Sequence, residues 1–300
     1  MHHTPFKFLK LSTAFILFVT IYSCQQKEVA LSDTYLKEDA EFRTRLSKGR
    51  DHYLKLVGLH ALIQGTNIFG GAEENNIQLE SDGIPATIGA IEITDNRVIL
   101  TVADSLEVRL LENDSAISSW TYEFVESSAN APMMKYNHLE WQVIKRAEDY
   151  FLRVKDQNSE QAKYFKGFQA YPLQSSYVVE AEYEPFESIK TEEVNTQLGT
   201  NQQMDMVGKL AFQLEGENYQ LSVGASGFLI VGDQTNDNTT YGGGRYVYVD
   251  LPESAGKITI DFNRLYNPPC VYSEFTTCPL PPSQNILPVK ILAGEKHMRL

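Results

Sequence analysis

Three cysteines, two tryptophans and six histidines in 300 residues leave little material for metal or redox chemistry. A structural zinc needs about four ligands at tight spacing. His52, His60, His138 and His297 form neither H-x-x-x-H nor H-E-x-x-H, and Cys270 and Cys278 stand too far apart for a zinc pair, so no metal and no cofactor is expected. No Walker-type glycine loop occurs, and Gly242-Gly243-Gly244 reads as a tight turn rather than a phosphate cradle. Gly224-Ala225-Ser226-Gly227 departs from the nucleophile-elbow pattern and also reads as a turn. The oxygen-rich run from Gly232 to Asn238 lacks the spacing and terminal Glu of a calcium loop. Positive charge is scarce as well: 26 Lys and Arg stand against 39 Asp and Glu, a net charge of -13, which argues against a nucleic-acid partner. No apolar run approaches the roughly 20 residues of a membrane-spanning helix.

What is present begins at the N-terminus. Lys7 and Lys10 precede an apolar run from Leu11 to Ile21, the shape of a signal-peptide core. It ends in Ile21-Tyr22-Ser23-Cys24, which resembles the lipobox of bacterial lipoproteins. That resemblance implies cleavage after residue 23, lipid on Cys24 and a membrane partner reached through the anchor, since two or more acyl chains hold a protein firmly. Residues 24–32 read as a tether. No Asp follows Cys24, so the outer membrane is the expected site, at its periplasmic face or its surface.

Beyond the tether, Ser32 and Asp33 offer an N-cap, and helical spacing predicts a helix to about Lys48. Short apolar runs punctuated by Gly, Asn and Asp then suit a small antiparallel β-sandwich, giving a helix-plus-β unit over 33–126. The piece Gly65-Thr66-Asn67-Ile68-Phe69-Gly70-Gly71 resembles the opening of forkhead-associated domains. The Arg and Ser-x-x-His that those domains use are missing, so phosphopeptide binding is not expected. Ser127 to Pro132 reads as a linker. Longer strands follow, with hairpins expected around Ala147-Glu148-Asp149 and Gly216-Glu217-Asn218. The fold class is therefore mainly β: a small antiparallel sandwich after an N-terminal helix, then a larger antiparallel barrel or sandwich over 133–300. Glu180 and Glu182 share one face of a strand and read as a solvated face.

The stretch from Asp261 to Asn285 gathers two cysteines, five prolines and several Asn, Asp and Arg side chains. With Cys24 given to lipid, Cys270 and Cys278 remain as a pair, and an oxidising compartment favours a disulfide. Prolines make this backbone unsuitable for helix or central strand and reduce the entropy lost on ordering it. Its carbonyls need donors, which Asn263, Arg264, Asn267, Gln284 and Asn285 can supply as braces. The sharper reading makes a polar pocket of Tyr241, Arg245, Asp261, Asn263, Arg264, Tyr266, Asn267 and Asn285, with Arg264 gripping an anion.

Asp261-Phe262-Asn263-Arg264, Tyr266-Asn267-Pro268-Pro269-Cys270, Thr277-Cys278-Pro279-Leu280-Pro281-Pro282, Asn285 and Ala293-Gly294-Glu295 resemble the C-terminal signature of an uncharacterised bacterial family, domain of unknown function 1684. Thr240 to Tyr246 and Leu56-Val57-Gly58-Leu59 fit the same resemblance. It implies a shared fold and brings no activity. It also implies that the Cys pair occurs without export signals, so free thiols or a metal remain the alternatives to a disulfide. Two functions are carried forward. One is an envelope lipoprotein that binds a small-molecule or envelope ligand or partner. The other is a hydrolase of an envelope or anionic small molecule, with Asp261 as acid or base and Arg264 stabilising charge.

Overall fold

A computed structural model describes residues 1, 30–95, 97–124, 131–146 and 148–297. The expected signal segment, Cys24, most of the expected tether and most of the expected linker lie outside the described residues. Helix α1 runs Asp33–Leu54. Ser32 caps it by accepting a hydrogen bond from the Tyr35 N–H at 3.2 Å. It continues two turns past Lys48, because Arg50 and Leu54 bury their side chains and anchor the last turns. Few of its residues are buried, and those include Asp39 and Arg50, so the helix is docked largely by polar contacts.

Strands β1 to β11 build a two-layer sandwich. One sheet runs β1 (Leu56–Leu62), β11 (Asp149–Asp156), β10 (Leu139–Arg146), β9 (Met134–Tyr136), β6 (Val108–Leu110), β7 (Ala116–Ile117). The other runs β3 (Ile77–Gln78), β2 (Gly65–Gly70), β4 (Gly89–Thr94), β5 (Arg97–Val102), β8 (Ser119–Tyr122). Phe69, Ile91, Leu100, Trp141, Val143 and Leu152 meet in its core. Alternation puts Tyr150, Leu152 and Val154 into this core and leaves Phe151 and Arg153 on the outer face. The strands over 139–156, which chain order groups with the C-terminal half, pair instead with β1 near the start of the first sandwich.

The C-terminal half begins with a short helix α2 (Glu160–Tyr164). Its sheet runs β14 (Glu217–Gly224), β13 (Asn201–Leu214), β12 (Val178–Asn195), β17 (Gly256–Asp261). A two-stranded ribbon, β15 (Phe228–Val231) with β16 (Arg245–Tyr248), completes the strands. The hairpin from β13 to β14 turns on Glu215 and Gly216, both with positive φ (52° and 86°), as a right-twisted two-residue turn requires. Tyr177, Leu210, Phe212, Leu221, Ile260 and Phe262 form a second core, closed by Leu287, Val289, Ile291 and Ala293 from the coil after residue 262. The chain is mainly β with antiparallel sheets, and no sheet closes into a barrel among the described residues. No described helix is long and apolar enough to cross a membrane.

Candidate functional site

Cys270 and Cys278 form a disulfide, with Cα atoms 6.1 Å apart. The residues after it are laid along the tip of the β12–β13 hairpin. Gln197 N–H donates to the Cys278 carbonyl at 2.9 Å, and Leu280 N–H donates to Asn195 at 2.8 Å. Tyr246 O–H donates to the Pro279 carbonyl at 2.8 Å. The donor-poor backbone is thus satisfied from outside, as proline content demands.

Most of the polar residues singled out in the sequence point inward. Asn285 clamps two strands: its Oδ1 accepts from Ser222 N–H at 2.7 Å, and its Nδ2 donates to Ser222 and Ile230 carbonyls at 2.9 and 3.1 Å. Asn263 does the same for the coil before the single 3-10 turn Ser175–Tyr177, exchanging bonds with the Gln174 backbone at 3.1 and 2.9 Å. Arg245 is 0% exposed. Its guanidinium donates to Asp233 at 2.8 Å and to the carbonyls of Ile291, Ala293 and Glu295. Burial pulls this guanidinium's pKa down, and Asp233 opposes that pull. The Asp233 carboxylate also accepts from Thr235 and the Ile291 N–H, so this acid of the oxygen-rich run holds the Arg245 guanidinium in place.

Helix α1 takes the remaining candidates. Asp261 accepts from Tyr35 O–H at 2.9 Å and from Asn263. Arg264 lies 3.2 Å from Asp261 and 3.6 Å from Glu38, between the rings of Tyr35 and Phe42. Burial raises the Asp261 carboxyl's pKa, while Tyr35, Asn263 and Arg264 hold it back. Further along, Arg50 donates to Glu295 at 3.0 Å and sits 4.3 Å over the Tyr272 ring and 5.6 Å over Tyr266. Glu295 also accepts from Asn267 N–H at 2.7 Å and from Tyr272 O–H. Burial pushes its carboxyl up to about 7, against Arg50 and Asn267. Gly294 makes this approach possible. It has φ 72°, and a Cβ there would stand 2.5 Å from the Leu265 carbonyl oxygen.

Tyr241 alone among the candidates faces an open groove of about 790 Å³. Its walls come from separate segments: Gln169 and Tyr171, Gln197, Asp237 to Gly243, Leu280, and Lys296 with His297. The Lys296 ammonium lies 4.6 Å over the Tyr171 ring, and the Tyr241 and His297 ring centres are 5.9 Å apart. Tyr171 O–H bonds to Thr239 at 2.6 Å, and His297 N–H donates to the Thr239 carbonyl at 3.0 Å. The Asp237 carboxylate packs against the bare face of Gly242, where a Cβ would push it aside. Burial raises the Tyr241 phenol's pKa, helped by Asp237, so it stays a neutral donor. Of the residues singled out as a pocket in the sequence only Tyr241 lines this groove, and Tyr171, Asp237, Lys296 and His297 line it without having been among them. The last two directly follow the Ala293-Gly294-Glu295 signature, which was the available signal.

A Ser–His–Asp grouping also occurs in the first sandwich. Ser81 Oγ donates to Asp156 at 2.8 Å and lies 2.9 Å from His138 Nε2. With its one proton given to Asp156, Ser81 must accept from the ring, so His138 cannot act as its base. The grouping bridges a loop to the sheet.

Comparison with known proteins links the chain to a family and to solved structures, one of which is described here. The profile described as "Protein of unknown function (DUF1684)" matches residues 163–296. The solution NMR structure of the uncharacterized protein from gene locus rrnAC0354 of Haloarcula marismortui is 32% identical, covering 46% of this chain and 80% of that one, with a TM-score of 0.39. No curated protein matches.

Proposed function

We propose that this chain, which belongs through residues 163–296 to the family described as Protein of unknown function (DUF1684), is an envelope-anchored lipoprotein that binds a small, hydroxyl-rich anion in the groove beside Tyr241. The observation that carries the reading is the lining. Lys296 and His297 offer cationic or N–H donors to an acid group, Tyr171 and Tyr241 offer ring faces, and Gln169, Gln197 and Asn238 offer amides to hydroxyls. The volume falls within the roughly 300–1,000 Å³ usual for small-molecule sites. A sugar acid has the matching chemistry. The anchor rests on Cys24 and its apolar leader. Asp261 is enclosed by Tyr35, Asn263 and Arg264 and is not among the groove residues, so the hydrolase reading is not taken further.

Titration calorimetry with free glucuronate tests the reading. Wild type should bind, and Lys296→Gln should weaken binding about tenfold or more, the worth of one charge-assisted hydrogen bond. Tyr241→Ala should weaken it as well. Absence of heat from wild type, or binding indifferent to both substitutions, refutes the reading.

A further inference from the structure

The Tyr241 groove holds an acid as well as a base. Asp237 is the sole carboxylate among the described residues that line it, and Lys296 is the sole ammonium. Neither has an opposite charge in the folded chain. No described residue donates a hydrogen bond to the Asp237 carboxylate, and no described cation lies within ion-pair distance of it. The Lys296 ammonium meets no carboxylate among the described residues; its contact is the Tyr171 ring, 4.6 Å away. The two charges share one open cavity and do not pair with each other.

Both charges stand on braced backbone. Asp237 lies in a tight turn in which the N–H groups of Asn238, Thr239 and Thr240 all donate to the Thr235 carbonyl, at 3.2, 3.0 and 3.1 Å. The Asn236 amide clips this turn to Thr240 Oγ1 at 3.0 Å and to the Tyr241 carbonyl at 2.8 Å. Asp237 itself is left-handed, with φ 60°, a conformation that Asp and Asn adopt more readily than most residues with a side chain. Burial and then Asp237 raise the pKa of the Tyr241 phenol, as a carboxylate close to that group must. On the other wall, Lys296 N–H donates to the Gln169 carbonyl at 2.8 Å, and the Lys296 carbonyl accepts from Asn267 Nδ2 at 2.9 Å. The acid thus stands beside Tyr241 and the ammonium beside Tyr171.

A ligand with only a carboxylate satisfies Lys296 and leaves Asp237 facing a second anion, and like charges brought into one cleft disfavour binding. A ligand that also carries an ammonium completes both pairs, and partners already held in place cost little to order. On a 2-amino-2-deoxyuronate the carboxylate and the ammonium stand at opposite edges of the pyranose ring. Its remaining hydroxyls suit the amides of Gln169, Gln197 and Asn238. We propose that the groove selects an amino sugar acid, whose ammonium pairs with Asp237 while its carboxylate meets Lys296. This inference rests on the groove being a sugar-acid site, and it makes Asp237 the residue that sets specificity there.

The test is titration calorimetry at about pH 6.5, where an amine of this kind is charged. It compares glucuronate, 2-amino-2-deoxyglucuronate and the N-acetylated form of the latter. Wild type should bind the aminated acid about threefold or more tighter than glucuronate, the worth of an ion pair that solvent partly screens, and acetylation should remove the gain. Asp237→Asn keeps the side chain's shape and its left-handed turn, and it should bring the two affinities together. Lys296→Gln should weaken binding of both acids. Heat from the aminated acid alone, lost in the folded Asp237→Asn protein, supports the pairing and shows that the acid group by itself does not suffice. Equal affinity for the two acids overturns the proposal and leaves the groove a sugar-acid site. So does an equal gain from the N-acetylated form, or a preference that survives in the folded Asp237→Asn protein. No heat from either acid overturns both readings.

Discussion

Replacing Arg50 with Met should detach α1 from the C-terminal half in a pH-dependent way. Arg50 and Glu295 have side chains only 3% and 1% exposed, so removing the cation leaves a carboxylate in the interior. Breaking one side of a buried pair costs about 3–5 kcal/mol. Asn267 and Tyr272 still donate to Glu295, which favours the lower end of that range. The pH sign follows from the raised pKa of Glu295. A buried acid whose pKa is raised to about 7 from 4.5 contributes stability that is fully present below 4.5 and is lost as pH rises through 7. Without Arg50 that pKa rises further, so at pH 5 the carboxyl is neutral in the folded variant at little cost, whereas at pH 8 folding must either hold a proton that the unfolded chain releases or bury an unpaired charge. Urea unfolding followed by tryptophan fluorescence should therefore show a smaller loss in Arg50→Met at pH 5 than at pH 8. Arg50→Met combined with Glu295→Gln should recover most of the loss at pH 8, since no orphaned charge remains. An equal loss at both pH values, or no recovery in the double variant, refutes the reasoning.

Two further outcomes follow from the same contacts. Cys270→Ser should cost about 2.5 kcal/mol by chain entropy for a ring closed across eight positions, read as a lower urea midpoint that reductant reproduces in wild type. Ser81→Ala should lower stability by about 1 kcal/mol and leave glucuronate binding unchanged, because Ser81 bridges Asp156 and His138 rather than attacking a substrate.

The mainly β class, the helix start and the bracing character of the proline-rich coil were legible because their signals are local. Ser32 announces a cap, alternation announces strands, and prolines announce a backbone that borrows its donors. The end of α1 was not legible, because Arg50 keeps its place through Glu295, 245 residues away. Strands β10 and β11 alternate as cleanly for one sandwich as for another, and only the pairing with β1 decides. Arg245 looks like a ligand-binding arginine in a strand, yet its partners Asp233 and the 291–295 carbonyls fold around it completely. The groove draws on five separated segments, none of which carries a motif of its own.

Hydrogen–deuterium exchange with and without glucuronate tests most directly whether the stiff coil frames a binding groove or is itself the contact surface. Protection on adding glucuronate should appear at residues 237–243 and 296–297 and leave 261–267 unchanged. Protection centred on 261–267, or none anywhere, would contradict that assignment.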